Sequence, residues 1–594
     1  MTYAIIDGRK AWPDGSANIK LTLENPHVRV SDSYTYEISF PMSVMENLQV
    51  FGSIHRLDVS KGKKVFEDCQ LYVDNLLVVA GIGTVTNITH EAVKLQIIGG
   101  ASRVRYKTSA ENIFLDEIDM GEVSGEHAGW VRSVFALPSP AQLAEFKISA
   151  PGGNGYMFFG IGNESETILQ NCILASDEDI TGAFMFSYPT PQVQLMHVLR
   201  CVMEAIGYEI GTNDYDSVPW TQLYICNGKQ SPKLQYCVPH WRVSTFLEEF
   251  RKLFNATFLY HEMEHTVDIL AKGSVEEQTV TYECSDDFSA EYDEDGLQFM
   301  GTDTLGYSYR ESAFREDQEY IPDELFERFP LLEYETYAEC RAAVNGMSRR
   351  EAMTTLFYVG EYDLYYYAWE RNSGGYMLSR LGWFHDLRRS SNRTELKIVP
   401  AAVGNFFADY DERGYKEAWY LKCPFVEGSI LQKIGDEEEV EEEEYQTIQE
   451  IVEEGSTVER REDEDDIMEL AFSQGVPVVV KAERKGLIDI MPWRMTWRAF
   501  TDSGKDGYAV TPASLALTGV TDDTPYIGQY HRDSLQVNIS NPVNIRFLCD
   551  GLPDPTKNFI FKGKKYLCAK VEISITGDGI DRIKSGCFYE ILSQ

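Results

Sequence analysis

Residues 244–270, STFLEEFRKLFNATFLYHEMEHTVDIL, decide how the middle of this 594-residue chain is read. The string HEMEH fits the HExxH pattern, in which two histidines one helical turn apart hold zinc and the glutamate between them activates water. On that reading His261 and His265 are the ligands and Glu262 is the general base. It requires one helix running through the motif, because only a helix puts residues i and i+4 on one face. The local chemistry points elsewhere. Leu247, Phe250 and Phe254 recur at helical spacing, Thr245 with Glu248 has the form of a capping box, and Asn255 is a C-terminal stop. Beyond it, 257–260 and 266–270 are β-branched and aromatic runs flanking a polar linker, the pattern of a hairpin. A third ligand is also hard to place. The glycine and histidine of the extended metzincin signature do not follow His265, and Glu283 or Glu291 would need a second helix where 279–284 reads as a strand. The expectation is a helix ending at Asn255, a hairpin whose turn carries the motif, and no catalytic, cofactor or metal residues.

Working outward, the length exceeds one core and implies roughly three to five domains. Hydrophobic residues at 43% and 34 Tyr with 30 Phe describe a well-packed chain with a β bias. No apolar run is long enough for a membrane span, and the opening MTYAIIDGRK lacks the form of a signal peptide, so synthesis and assembly in a cytoplasm are expected. The eleven cysteines are scattered singly with no CxxC pair, which reads as mostly buried free thiols. A formal net charge of −40 excludes a surface built to grip nucleic acid, since phosphate binding needs clustered Lys and Arg.

The fold class expected is α+β, β-rich and multidomain: small antiparallel β-barrels or sandwiches with amphipathic helices packed on strands. Residues 1–110 form a β-barrel unit, with alternation at Ile19, Leu21 and Leu23, at Tyr34, Tyr36, Ile38 and Phe40, and at Val93, Leu95 and Ile97. A hairpin there turns at Asp74-Asn75. Residues 111–188 read as an inserted sandwich-like module with glycine loops. Its Gly160-Ile161-Gly162 turn has no following lysine or helix and reads as a loop between strands rather than a phosphate cradle. Residues 189–301 form an α+β helix-hairpin unit. In it, Thr190 and Pro191 open a helix with Leu195, Val198, Leu199, Val202 and Ile206 on one face, stopped by Gly207. Near its end EYDEDG, from Glu291 to Gly296, imitates a calcium loop, but Thr302 stands where a bidentate glutamate is needed, so a solvated turn is expected. Residues 302–430 are a mixed α/β unit, with helices over 337–344 and 348–355 and strands over 362–369 and 394–400. Residues 431–466 are an acidic loop; 436–466 holds seventeen acids against Arg460 and Arg461, whose repulsion favours a solvated segment or a basic partner. Residues 467–594 are a β-rich end, which includes Trp493 and Trp497.

Several strings together resemble the baseplate or tail hub proteins of tailed bacteriophages, in the long form of prophages of Bacteroidetes-type hosts. They are FGSIHRLDVSKGKKVFEDCQLYVDNLLVVAGIGTVTNI and LQIIGG near the start, TPQVQLMHVLRCVMEAIGYEI and VPHWRVSTFLEEFRKLFNATFLYHEMEHTVDIL in the middle, then TELKIVPAAV and NFIFKGKKYLCAKVEISITGDG. The resemblance implies a homotrimeric ring at the distal end of a tail tube, with barrel domains round the lumen. The tube, a central spike or plug and other baseplate proteins are the implied partners, in a virion assembled in the host bacterial cytoplasm. It implies no catalytic residues and no cofactor, and an acidic lumen would let DNA pass without holding it. Two alternatives stay open: a receptor- or glycan-binding tail protein, using the 112–188 module or Trp493 and Trp497 to stack on sugars, and a zinc metallopeptidase through His261, Glu262 and His265.

Overall fold

Short-range alternation builds the first strands: β1 (Thr2–Ile6), β2 (Arg9–Ala11), β3 (Ile19–Glu24), β4 (Ser33–Thr35), β5 (Ile38–Pro41), β6 (Val65–Val73), β7 (Leu76–Ile88) and β8 (Ala92–Ile98). In this structure, a computed structural model, the described residues lie within 1–104, 113–123, 155–174, 190–271, 279–290, 305–308, 326–360, 364–370, 375–381, 394–410, 417–426, 465–482, 515, 525–532, 537 and 541–592, with short breaks inside some spans. Val93, Leu95 and Ile97 are fully buried along β8, as period-two burial requires. The β6–β7 turn places Asp74 and Asn75 at φ 51° and 66°, the pair of positive values that a two-residue hairpin with native twist demands. Gly81 is obligatory in β7: a Cβ there would run into the carbonyl of Ile98 on the neighbouring strand.

The same sheet continues with strands from the far end of the chain: β12 (Thr279–Thr281), β13 (Glu283–Ala290), β14 (Val543–Leu548), β15 (Asn558–Phe561), β16 (Lys564–Thr576) and β17 (Ile583–Glu590). Before them in the chain come α1 (Leu195–Ile206), β9 (Glu209–Asn213), α2 (Val243–Phe254), β10 (Ala256–His261) and β11 (Thr266–Ala271). The main sheet runs in the order β13-β14-β17-β16-β3-β4-β8-β7-β6-β1-β2 and curls as a half-barrel. The ends of the chain meet where β3 pairs antiparallel with β16, Ile19 opposite Ile575 through Glu24 opposite Lys570. One core fills the concavity. Leu21, Phe40, Leu71 and Leu95 pack there with Phe547, Phe559, Val571 and Phe588. A fully buried Phe removes enough apolar area to contribute about 2 to 3 kcal/mol, so the ring cluster of Phe547, Phe559, Phe561 and Phe588 ties the late strands firmly together. The fold is thus α+β, β-rich and multidomain as its alternation suggested.

A second core lies round α1 and α2, whose apolar faces pack with Trp220, Tyr224, Trp241 and Phe472. Here β9, β11 and β10 form a three-stranded sheet, β9 parallel to β11 and β10 antiparallel to it. The helix starts differ from the sequence reading. Residues Gln192–Gln194 form a strand paired with Leu223–Ile225, so α1 opens at Leu195 and not at Thr190 and Pro191. Helix α2 opens at Val243, with extended Arg242 before it and no side-chain cap. Thr245 and Glu248 therefore lie inside the helix rather than boxing its start. The Val243 N–H is met instead by the carbonyl of Ile113 at 2.9 Å, a tertiary partner that no local pattern announces.

A four-stranded sheet, Leu331–Tyr334, Leu356–Val359, Leu364–Glu370 and Tyr376–Leu381, carries helices Tyr337–Gly346 and Arg349–Met353. Their N-caps Thr336 and Ser348 accept from the Glu339 and Glu351 N–H groups. The expected strand over 394–400 is two strands, Thr394–Leu396 paired with Leu305–Tyr307 and Ile398–Pro400 paired with Met468–Phe472. Between them the Lys397 N–H leaves the ladder to donate to the buried Glu249 carboxylate of α2 at 2.6 Å. Gly160 precedes strand Ile161–Asn163, which pairs with Ile168–Gln170 and with Glu417–Val426 and opens no helix. Among the described residues no helix is long and apolar enough to cross a membrane, and nine cysteines are free thiols, most of them buried. The EYDEDG string with Thr302, Trp493, Trp497 and the acidic run except Asp465 lie outside the described residues.

Candidate functional site

Helix α2 stops because Asn255 takes the left-handed conformation, φ 49° and ψ 40°, with its N–H bonded to the Arg251 carbonyl. Asn tolerates that region better than any residue but Gly, since its short amide can bond locally. Here the Asn255 amide donates to the carbonyl of Tyr530 at 2.8 Å, so a distant segment also holds the stop. Strand β10 begins at once, and its register with β11 runs from Ala256 opposite Ala271 to His261 opposite Thr266. The HEMEH string is the hairpin end: His261 closes β10, Glu262 to His265 make the turn, and His265 has φ 54°. The two imidazoles are therefore not stacked one helical turn apart.

The three residues that the zinc reading would use have separate structural partners. His261 is half exposed, and its Nε2 lies 2.9 Å from Oδ2 of Asp268 on the facing strand. The His265 carbonyl accepts from the Glu209 N–H at 2.9 Å, extending the parallel pairing of β9 with β11. Glu262 alone turns inward, with a side chain only 10% exposed. It meets three donors. The Gly100 N–H and Tyr208 hydroxyl reach Oε1 at 2.6 and 2.8 Å, and Arg103 Nη1 reaches Oε2 at 2.6 Å. Gly100 and Arg103 follow β8 of the half-barrel, Tyr208 lies between α1 and β9, and Glu262 belongs to the hairpin, so one carboxylate joins three parts of the chain.

The electrostatics agree with a permanent tie. Burial pulls the Arg103 guanidinium down, but the Glu262 charge and hydrogen bond outweigh it and hold Arg103 above its ordinary value. Burial, reinforced by the Glu262 carboxylate, pushes the Tyr208 hydroxyl far up, so it stays a donor. Asp268 experiences burial that would raise it, yet the Thr212 N–H at 2.6 Å and the His261 ring hold it below the usual carboxylate value. A Cβ at Gly211 would lie 2.6 Å from Asp268 Oδ1, so β9 and β11 approach closely there.

A second tie runs beside the first. On β10, Thr257 Oγ1 lies 2.5 Å from Nδ1 of His27, whose backbone N–H donates to Asn25 Oδ1. Asn25 in turn donates to the carbonyls of Cys568 and Ala569 on β16, at 2.8 Å from its amide and 2.9 Å from its backbone. The hairpin is thus fastened to the middle of the half-barrel twice, through Arg103 near β8 and through Asn25 to β16. Sequence reasoning saw the turn but missed Arg103, Tyr208, His27 and Asn25. The one available signal was a pair of glutamates, Glu262 and Glu264, in a polar turn, which names neither the inward one nor its partner.

A third cluster joins His240 to two acids. Its Nδ1 lies 2.8 Å from Asp116 Oδ2, its backbone N–H donates to Asp465 Oδ2 at 2.6 Å, and its ring stacks on Phe114 with centroids 4.1 Å apart. Trp241 Nε1 donates to the Asp465 carbonyl, which anchors the chain where the acidic run ends. Among the described residues no group of three or more His, Cys, Asp or Glu is placed to hold a metal ion; Glu283 lies on β13 and Glu291 outside the described residues.

No protein-family profile matches the chain, and no curated protein sequence matches it. Solved structures similar to it include the 43 kDa tail protein of prophage MuSo2 from Shewanella oneidensis, 7% identical, covering 99% of this chain and 96% of that one with a TM-score of 0.30. A tail protein from Neisseria meningitidis MC58 is also 7% identical, covering 99% of this chain and 95% of that one with a TM-score of 0.25. Likenesses this loose leave the role to be argued from the chain's own geometry.

Proposed function

We propose that the chain is a non-enzymatic structural protein of a phage tail, acting as a baseplate or tail hub in a homotrimeric ring. The observation that carries this reading is the use of Glu262: the residue that the HExxH pattern would make the general base is consumed in joining the half-barrel to the helix-hairpin unit. A scaffold needs such ties, because load applied to one unit must pass to the next without hinging. The curled sheet knit from both chain ends supports the same reading, since pulling on either terminus loads one cooperative layer. Among the described residues the sheet ends at β13 and β2, and such edges suit covering by neighbouring copies. A formal charge of −40 opposes phosphate and suits a ring through which DNA slides. The tail tube, a central spike or plug and other baseplate proteins are the partners, and the virion is the location, after assembly in the host bacterial cytoplasm.

The test is the mass of the purified native assembly together with negative-stain imaging. A mass of three chains and a threefold ring are expected. A stable monomer at 67.6 kDa under all assembly conditions overturns the hub. Tightly held zinc, lost together with peptidase activity on His261→Ala, would restore the metallopeptidase instead.

A further inference from the structure

The His55 and His90 rings meet edge to face, with centroids 6.2 Å apart and planes at 72°. They come from two separate turns of the half-barrel: His55 follows the short helix Met45–Phe51, and His90 lies between β7 and β8. Both backbones are held. The Thr89 N–H and hydroxyl donate to the Ala92 carbonyl at 2.9 and 3.0 Å, the Ala92 N–H returns to Thr89 Oγ1 at 3.0 Å, and the Glu91 carbonyl accepts from the Met42 N–H at 2.8 Å. In the other turn Phe51 and Ile54 are buried in the half-barrel core, and the Arg56 N–H donates to the Ser53 carbonyl at 3.0 Å.

The side chains are treated differently from other histidines of the chain. Ring nitrogens of His197, His240 and His261 each meet an oxygen, of Met120, Asp116 and Asp268. Among the described residues neither His55 nor His90 makes such a bond, and His55 Nδ1 is enclosed without a partner. An unmatched buried nitrogen points to an ion or a water at the site. Two imidazoles side by side favour the ion, because imidazole is the commonest ligand of late first-row metals. The neighbouring Arg56 has its charge offset by Asp58, at 3.0 and 2.6 Å, and a chain of net charge −40 attracts cations.

The spacing suits one shared ion. An imidazole nitrogen about 2.1 Å from such a cation puts each ring centre about 3.2 Å from it, and two ring centres about 5.2 Å apart at the tetrahedral angle or up to about 6.4 Å when that angle opens. The pair, at 6.2 Å, stands about 1 Å wider than the tetrahedral value, a gap that rotation of the exposed His90 side chain closes. No third His, Cys, Asp or Glu stands with them among the described residues, so water completes the coordination. We infer that His55 and His90 together bind one late first-row divalent cation, Cu2+ above Ni2+ and Zn2+, in a water-open site that pins the turn after Met45–Phe51 to the β7–β8 turn. The site is separate from HEMEH and independent of the hub reading.

The test is calorimetric titration of the full chain with Cu2+, Ni2+, Zn2+ and Mg2+, with thermal melts alongside. Micromolar binding that is tightest for Cu2+ and absent for Mg2+ is expected, with a melting temperature raised by the bound metal. Paramagnetic resonance of the Cu2+ form should show coupling to two imidazole nitrogens. His90→Ala, at an exposed turn position, should weaken Cu2+ about tenfold or more and remove one nitrogen from the spectrum; His90→Gln repeats the measurement if the alanine variant fails to fold. His261→Ala should change neither. Coupling to a single nitrogen in the native chain, Cu2+ affinity unmoved by His90→Ala, loss on His261→Ala instead, Mg2+ binding as tightly, or binding only at millimolar metal would each overturn the assignment.

Discussion

The chain holds two helix-then-strand units side by side, α1 with β9 and α2 with β10 and β11, and they end their helices by the same geometry with different residues. Gly207 closes α1 at φ 91° and the chain passes directly into β9. Asn255 closes α2 at φ 49°, and the chain adds a hairpin whose turn reaches the half-barrel. The first stop is purely local, since a Cβ at Gly207 would meet nothing within 4 Å. The second is shared, because the Asn255 amide holds Tyr530 and the hairpin beyond holds Arg103. Local chemistry decides where each helix ends, and long-range partners decide what the following turn does.

The sharpest way to break this comparison is to remove the inward residue of the second unit. Glu262→Ala strands Arg103, only 14% exposed, without its counter-charge. A loss of about 3 kcal/mol is expected, toward the lower end for one member of a buried pair. Glu262→Gln, which keeps an acceptor for Gly100 and Tyr208, should fall between. His261→Ala, on the exposed side of the same turn, should change stability by no more than about 0.5 kcal/mol. Urea unfolding of the three variants gives the ranking. A metal site predicts the reverse order, with the histidine costing more than the glutamate, and that order would remove the tie.

The two stops themselves give the next effect. Asn255→Ala forces an ordinary residue into the left-handed region and also frees the Tyr530 carbonyl, together about 2 kcal/mol. Asn255→Gly keeps the conformation and loses only the bond, about 1 kcal/mol. Gly207→Ala meets no steric neighbour and should cost about 1 kcal/mol of backbone strain alone. Thermal melts order the set. If Gly207→Ala equals or exceeds Asn255→Ala, the second stop draws nothing from Tyr530 and the contrast between units dissolves.

What the sequence made legible is the set of features encoded within a few residues. Asn255, the β-branched runs after it, Gly207 and the Asp74-Asn75 turn each carry their own conformational reason, and the structure realises them. What stayed hidden depends on residues far apart. Period-two alternation at Ile19 to Leu23 announces a buried face but not the neighbour, and the neighbour is β16, from the far end of the chain. The start of α2 was sought in a capping box because side-chain caps are local, whereas the real partner of Val243 is the carbonyl of Ile113. The residues placed Glu262 in a turn, with a catalytic base as the alternative that HExxH spacing offers; nothing in the string states that Gly100, Arg103 and Tyr208 converge on one carboxylate. The register shift between β16 and β17 after Cys568 had a faint local trace in the apolar run Leu567, Cys568, Ala569, which breaks alternation there.

The smallest effect tests whether side chains reinforce the backbone ladder that joins the two units. Asp268 on β11 accepts from the Thr212 N–H of β9 and faces the His261 ring, and these contacts hold its carboxyl below the ordinary value of 3.8. A depressed carboxylate adds stability that is complete above that value and disappears as pH falls through the lower folded value. Acid melts of the native chain should therefore lose this increment only below about pH 3.8. Asp268→Asn should lack it at neutral pH and decline less steeply in acid. Because the group is mostly solvent-screened, the difference should not exceed about 1 kcal/mol. Native and variant curves that run parallel through the acid range would mean that β9 and β11 are held by their backbone ladder alone, with no side-chain tie reinforcing it.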